Sequence, residues 1–287
     1  MSNPNSLQTT NAKKRKHDQT ATQSLAGPSC AKTPKHNPIP AKKNTAHGDA
    51  FQLNLLILQF VMAYISKKIL SFTLETEVPE AGKFDDLVFS YTDKNNIQKY
   101  LLLQAKHAYD EESESAIIYG TNLLTTSSNN QFGLVKYLKS YIEIRSKNSK
   151  FSKSDFVICT NKRLGFSGTS LDLKYTKVNA NVDGKHIIKF KKIEKDDPEY
   201  DENLVSCLYG ELYKIDIDTI NDLNFVKSIR KKYKTEYKTK PSSQNVNEFL
   251  KSLIFSVNMP HELELEKKIE KKLKKQFGMD SVKVVSS

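Results

Sequence analysis

Three short β-like segments, joined by tight turns, constrain the fold more than any other feature of this sequence. They cover residues 71–78, 84–91 and 98–106, and each is rich in Val, Leu, Phe, Tyr or Thr. Turn-forming residues separate them, at positions 79–82 and 93–96. Connections this short predict an antiparallel meander, because parallel strands need a crossover of a dozen residues or more.

Apolar segments lie on both sides of this meander. Residues 51–69 contain no Gly or Pro and are apolar on most faces, which predicts a buried helix. Residues 130–147 carry apolar side chains near helical spacing, and residues 155–160 predict a short buried strand. The sequence therefore predicts an α/β core with a mixed sheet over residues 49–165, in the order helix, three strands, helix and strand.

Residues 166–287 are predicted to form a mixed, α-rich extension packed on this core. Residues 172–192 are typical of a hairpin, because an Asp-Gly pair stands at their centre. Residues 204–213 and 221–232 predict short helices. Residues 262–277 place apolar side chains four residues apart with lysines between them, which predicts an amphipathic helix.

Residues 1–48 predict a disordered tail, because their polar composition cannot offset the entropy of ordering. The tail contains the basic run Lys13, Lys14, Arg15 and Lys16. Such a run in a flexible segment is typical of a nuclear import signal, and a solvated tail that aids solubility is the alternative. The expected location is the nucleus, or the cell interior more generally.

The charge balance favours a polyanionic partner. The chain of 287 residues has 45 Lys and Arg against 33 Asp and Glu, a net charge of +12, and half of this excess lies beyond residue 49. Nucleic acid is the first candidate for such a basic protein. A basic patch that would track a phosphate backbone comprises Lys227, Arg230, Lys231, Lys232 and Lys234. One of the interleaved tyrosines, Tyr233 or Tyr237, would stack on a base, although a solvated helix face fits the pattern equally well.

Several classes of protein are disfavoured. Cys30, Cys159 and Cys207 are too widely spaced for a disulfide framework or a zinc motif, so a reducing compartment is expected. The first apolar run begins only near Phe51, which argues against a secretory signal. Polar residues within residues 51–69 argue against a membrane span.

Two runs within the predicted meander carry groups suited to phosphate chemistry. Asp85 and Asp86 open the second strand, while Gln104 and Lys106 end the third on one face. Strand pairing through the 93–96 turn would bring an acid, an amide and an amine to one sheet edge. Mg²⁺ prefers such oxygen ligands, and a lysine beside it would stabilise charge on a phosphodiester. Taken alone, the Asp pair is more typical of a turn and Gln-x-Lys more typical of an exposed strand face.

The order of elements, together with an Asp followed by Gln-x-Lys, resembles the PD-(D/E)XK nuclease superfamily, which shares the restriction-endonuclease-like fold. More narrowly, GKFDDLVF and LLLQAKH are similar to nuclease-like domains of some large arthropod repeat and NTPase proteins, and to prokaryotic defence nucleases with a DD…QxKH signature. The resemblance covers residues 51–161. It implies hydrolysis of nucleic acid, DNA rather than RNA, with Mg²⁺ or Mn²⁺.

Carried over by position, the resemblance makes Asp86 the metal ligand, with Asp85 as the neighbour that would replace it. Gln104 stands where many members have Glu and would also contact the metal, and Lys106 is the lysine of the motif. Gln52, early in the first helix, fits a Gln or Glu often found there. His107 belongs to the motif too, but strand alternation directs it away from Lys106, which favours a packing role.

Gln104 also leaves a second function open. Its side chain offers a neutral carbonyl oxygen, so the site has one fewer anionic ligand and should hold Mg²⁺ less tightly. The alternative is a catalytically degenerate module that binds nucleic acid or a protein partner without cutting. A homodimer or a larger assembly is compatible with either function.

Overall fold

The computed structural model describes residues 41–108, 117–127, 130–151, 153–165, 175–180, 184–194, 208–216 and 223–278. The basic run at 13–16, Cys30 and Cys207 lie outside these residues. The helices within them are α1 (Ala41–Ile65), α2 (Gly120–Leu124), α3 (Leu134–Lys147), α4 (Leu223–Tyr237), α5 (Ser243–Ser252) and α6 (Glu262–Phe277). The strands are β1 (Ile69–Glu75), β2 (Leu87–Asp93), β3 (Gln98–Lys106), β4 (Ile117–Ile118), β5 (Asp155–Thr160), β6 (Arg163–Leu164), β7 (Tyr175–Ala180), β8 (Gly184–Lys192), β9 (Glu211–Ile215) and β10 (Leu253–Val257).

One mixed sheet organises the fold. Its strand order is β1-β2-β3-β5-β10-β9-β8-β7, while β4 and β6 form a separate parallel pair. The two ends of the sheet are antiparallel, and β3, β5 and β10 run parallel at its centre. Every residue of β10, and all but the first of β5, is buried, as expected for parallel strands covered on both faces.

Two apolar clusters cover the two faces of the sheet. On one face, α1 and α6 pack against alternate residues of the central strands, including Leu101, Leu103 and Val157. On the other face, α3, α4 and α5 pack against the residues between them, including Leu102 and Phe156. The even-numbered residues of β3 therefore face α3, and its odd-numbered residues face α1.

The mixed α/β prediction for the first part of the chain is confirmed. The predicted helix, meander, helix and strand correspond to α1, β1–β3, α3 and β5, with the meander antiparallel throughout. The strand predicted at 155–160 has the observed bounds of β5. Helix α1 begins at Ala41, which lies inside the predicted tail of residues 1–48.

The predicted mixed, α-rich extension has more helical than strand residues in the described part of the chain, but its strands join the main sheet. Residues beyond 166 provide β7, β8, β9 and β10 as well as three helices, and β10 lies beside β5 at the centre of the sheet. The segment predicted as a helix at 204–213 contains the start of β9. Leu212 and Tyr213 are buried as strand residues, so tertiary pairing with β8 and β10 outweighs the local pattern. The 172–192 hairpin is confirmed as β7–β8.

Helix α1 contains the stretch His47–Ile65, whose length and mean hydropathy of 1.3 would suit a membrane span. Its residues Phe51, Leu55 and Leu58 are buried in the cluster formed with the sheet and α6. This is the packing of a core helix, and it agrees with the prediction that residues 51–69 do not cross a membrane.

A tight turn anchors the segment that carries Asp85 and Asp86. Gly82 follows a single 3₁₀ turn with a φ of 61°, a conformation that favours glycine. The backbone N–H of Lys83 donates to Ser140 Oγ on α3 at 2.7 Å. This contact ties the loop before β2 to the helix that covers the same face of the sheet.

Replacing Gly82 by Ala should destabilise the fold by about 1–3 kcal/mol, because the new Cβ would overlap Ser140 Oγ in a strained backbone conformation. Urea unfolding measures this change. Gly48→Ala is the matched control, since a Cβ there meets no neighbour and removes a glycine from helix α1. Its expected effect is a gain of roughly 0.5–1 kcal/mol, and equal destabilisation by both variants would contradict the anchor.

Candidate active site

The pairing of β2 with β3 brings Asp86 and Gln104 together. Leu87 pairs with Leu103, so the residue before β2 lies beside Gln104. Asp86 Oδ2 accepts a hydrogen bond from the backbone N–H of Ala105 at 2.7 Å and another from the side-chain amide of Gln104. Gln104 is buried, so the carboxylate and the amide form one compact polar group at the sheet surface.

Lys106 lies on the same face of β3 as Gln104 and interacts electrostatically with both carboxylates. Burial lowers the pKa of the Lys106 ammonium, while the charges of Asp86 and Asp85 act in the opposite direction. The predicted acid, amide and amine thus form one polar cluster on the α3 side of the sheet. Because strand alternation directs all three toward that side, they do not face opposite sides of the sheet.

The pKa of Asp86 is raised, and burial is the main cause. The Ala105 N–H, the charge of Lys106 and the Gln104 amide lower it again, while Asp85 adds to the increase. Asp86 is thus a partly desolvated carboxylate whose partners favour its charged form. Such a group binds a cation with less competition from water than an exposed carboxylate does.

Two further lysines belong to this cluster, and sequence reasoning did not identify them. Lys136, in the first turn of α3, has its pKa lowered to about 8 by burial and by repulsion from Lys106 and Lys83. Its Nζ donates to the carbonyl oxygen of Asn130 at 2.7 Å. The spacing of apolar residues predicts which face of α3 is buried. It cannot predict how close Lys136 on this helix comes to Lys106 on β3. These lysines make the pocket a group of cations around two acids.

Tyr137 lies buried on α3 within electrostatic reach of Asp86. Its ring is fully buried against Phe84, with the ring centres 5.2 Å apart, and its hydroxyl donates to the Gln131 carbonyl at 2.8 Å. Burial and the charge of Asp86 raise the pKa of Tyr137, so the hydroxyl stays protonated. Cys159 lies on β5 and faces α1, on the opposite side of the sheet, where complete burial raises the pKa of its thiol to about 12 and leaves it unreactive.

Gln52 and His107 lie outside the cluster. Gln52 is half-buried on α1, which packs on the opposite face of the sheet, and the structure gives it no hydrogen bond to Asp86, Gln104 or Lys106. His107 packs between Phe51 and His261, with ring-centre distances of 5.1 and 4.8 Å, as its predicted packing role requires. Burial lowers its pKa to about 4, so it is neutral at pH 7.

The predicted basic patch lies on α4 and divides into two parts. Lys227, Lys231 and Lys234 are exposed on the outer face, at helical spacing. Arg230 instead donates to the Pro241 carbonyl at 2.9 Å and to Ser243 Oγ at 2.8 Å, which joins α4 to the start of α5. Lys232 is half-buried.

The prediction that tyrosines of this patch stack on bases is wrong for Tyr233. Its ring is only 6% exposed and contacts Tyr237, with the ring centres 4.9 Å apart. Tyr237 is half-buried beneath the ammonium of Lys139. Both rings therefore belong to the packing between α3 and α4.

The oxygen donors of this cluster are of the kind that binds a hard cation, but there are few of them. Asp86, Asp85 and the carbonyl of Gln104 are oxygen donors, and Mg²⁺ in proteins often takes one or two carboxylates with water and substrate completing its shell. Across the described ranges, no group of three or more His, Cys, Asp or Glu side chains is arranged to hold a metal ion. The residues present therefore fit a weakly held Mg²⁺ or Mn²⁺ that depends on a substrate phosphate.

No protein-family model matches the chain, and no curated protein sequence matches it. The functional interpretation of this site therefore depends on its residues and their geometry alone.

Lys136 should lose its proton as the pH rises through about 8, because burial and two neighbouring lysines disfavour its charged form. NMR of the lysine side-chain carbons measures this titration, with the Lys136→Arg variant assigning the signal. In the Lys106→Ala variant the titration should move to higher pH, since one source of repulsion is gone. An unchanged titration would show that Lys106 and Lys136 do not share the pocket.

Proposed function

We propose that this chain is a Mg²⁺- or Mn²⁺-dependent nuclease that hydrolyses phosphodiester bonds, of DNA rather than RNA. The observation that carries the proposal is the contact of Asp86 with Gln104 beside Lys106, on one face of a mixed α/β sheet. The order of elements from α1 to β5 and the DD…QxK motif support a restriction-endonuclease-like core of the PD-(D/E)XK type.

Asp86, with Gln104 and Asp85, would hold the metal ion. When bound, such an ion activates a water molecule and neutralises charge on the phosphate. Gln104 has both an amide N–H and a carbonyl oxygen, so it can donate to Asp86 or offer an oxygen to a cation. The backbone N–H of Ala105 keeps the Asp86 carboxylate in place in either case.

Lys106 would act on the attacking water and on the phosphate. Its ammonium can stabilise the negative charge that develops in the transition state. Because burial lowers its pKa, Lys106 is also closer to accepting a proton at neutral pH than an exposed lysine is.

Lys136 and Lys83 would bind the phosphate groups on either side of the scissile bond. In the described part of the chain, the three lysines 83, 106 and 136 outnumber the two acids, and a bound phosphodiester would supply the balancing anion. Repulsion between Lys136, Lys106 and Lys83 lowers the pKa of Lys136, and a bound phosphate would relieve it.

The wider charge distribution supports a nucleic-acid substrate. The exposed lysines 227, 231 and 234 on α4 lie on the same side of the sheet as α3, which carries Lys136. Contacts of this kind follow the phosphate backbone without reading the sequence, and they weaken as salt concentration rises.

A second candidate is a nuclease-fold module that binds nucleic acid or a protein partner without cutting. Gln104 is the observation that favours it, because an amide replaces the second anionic ligand of the motif. The missing third acidic or histidine donor among the described residues is consistent with this reading.

The nuclease proposal predicts Mg²⁺-dependent cleavage of plasmid or linear DNA by the full chain. Lys106→Ala should reduce the cleavage rate by roughly 10²-fold or more, since it removes the charge nearest the reacting phosphate. Lys139→Ala is the control, because Lys139 lies about one helical turn beyond Lys136 on α3 and its ammonium forms an ion pair with Glu143 at 3.6 Å.

Three outcomes separate the alternatives. Cleavage that persists in Lys106→Ala would reveal a contaminating nuclease. DNA binding without cleavage, with a steep dependence on salt, would support the second candidate. Neither binding nor cleavage of DNA or RNA would overturn both.

Gln104→Glu provides a separate test of metal binding. The substitution adds an anionic oxygen beside Asp86, so the Mg²⁺ concentration that gives half-maximal cleavage should fall several-fold. Without metal, the same variant should be less stable to urea, because two adjacent carboxylates repel each other. Gln104→Leu, which offers no oxygen, should raise the metal requirement, and equal requirements in both variants would exclude Gln104 as a ligand.

A further inference from the structure

We propose that the outer edge of β1 is a dimer interface, in which two copies of this chain pair their β1 strands antiparallel. This inference is independent of the proposed nuclease function. It rests on three features of the edge: open backbone groups, an exposed aromatic strip and a self-complementary arrangement of charges.

Strand β1 ends the sheet. It pairs with β2 on one side and with no other strand among the described residues. Edge strands are usually protected from pairing with another chain by Pro, an inward charge, a bulge or a covering loop. The start of β1 has one such irregularity, a register shift between Ile69 and Ser71. Residues 71–75 pair regularly with β2 and contain no Pro, so this part of the edge is open to a second strand.

An aromatic strip runs beside this edge and consists of Phe72, Phe60, Tyr64 and Phe277. Phe60 contacts Phe72 and Tyr64, with ring centres 5.8 and 6.0 Å apart, and Tyr64 contacts Phe277 at 5.5 Å. Phe60 is 48% exposed and Tyr64 is 60% exposed, and Leu70 on the edge itself is 59% exposed. Apolar surface that is grouped in this way is typical of an interface.

The charges around β1 select a second copy as the occupant. Lys67 lies two residues before the strand, Glu75 is its last residue and Glu77 lies two residues beyond it, and all three are exposed. When two copies pair antiparallel about Phe72, the end of β1 that carries Lys67 in one copy lies beside the end that carries Glu75 and Glu77 in the other. The attraction joins the two ends of the strands and does not depend on one exact register. A parallel arrangement would bring like charges together.

Sedimentation velocity of the full chain over a wide concentration range tests the proposal. The wild type should show a reversible monomer–dimer equilibrium. Lys67→Glu and the double variant Glu75→Lys/Glu77→Lys should each raise the dimer dissociation constant roughly tenfold or more, because every facing pair then repels. A mixture of these two variants should form a heterodimer, since each acid again meets a lysine.

Tyr64→Lys should also weaken the dimer, whereas Leu263→Lys should not. Leu263 is 62% exposed in the first turn of α6, far along the helix from Phe277, and so serves as a matched control. The proposal is overturned by a wild type that stays monomeric at every concentration. It is equally overturned by a dimer that both charge reversals leave intact, or by a mixture of the reversed variants that does not associate.

Discussion

The antiparallel register between β2 and β3 is the constraint on which the candidate site depends. It places the first residues of one strand beside the last residues of the other, so Asp86 meets Gln104 and the N–H of Ala105 without a long connection. A slip of one residue would turn Gln104 and Lys106 toward α1 and bury them among apolar side chains. The cost of burying these polar groups opposes such a slip, whereas the leucines at 101, 102 and 103 fit either face.

Burial gives this small polar group its chemical character. Burial raises the pKa of Asp86 and lowers that of Lys106, so it favours the neutral form of both groups. The attraction between their charges acts in the opposite direction and favours the ionised forms. Lys136 and Lys83 then add positive charge that no further acid balances among the residues the structure describes. A pocket of this kind remains electrostatically incomplete until an anion enters it, and the proposed phosphodiester is such an anion.

The local elements of the first half of the chain were predictable because their signals are short-range. The turn residues at 79–82 and 93–96, together with the apolar runs between them, define the meander, and strand alternation correctly placed Gln104 and Lys106 on one face and His107 on the other. Lys136 was not predictable, since its approach to Lys106 depends on how α3 packs across the sheet. The start of β9 has a sequence pattern that also suits a helix, and only its pairing with β8 and β10 makes it a strand. The burial of the Tyr233 ring was not predictable either, because exposure depends on neighbours that are distant in sequence.

The position of β10 has a consequence for how the chain reaches its native state. This strand, formed by residues 253–257, lies between β5 and β9, so the middle of the sheet is completed by a segment almost one hundred residues after β5. Contacts between such distant segments form slowly, because closing the long loop between them costs conformational entropy. During synthesis, β5 and β9 would both present open, strongly apolar edges until residue 257 has left the ribosome. Until β10 forms, these edges are the part of the chain most open to pairing with another chain.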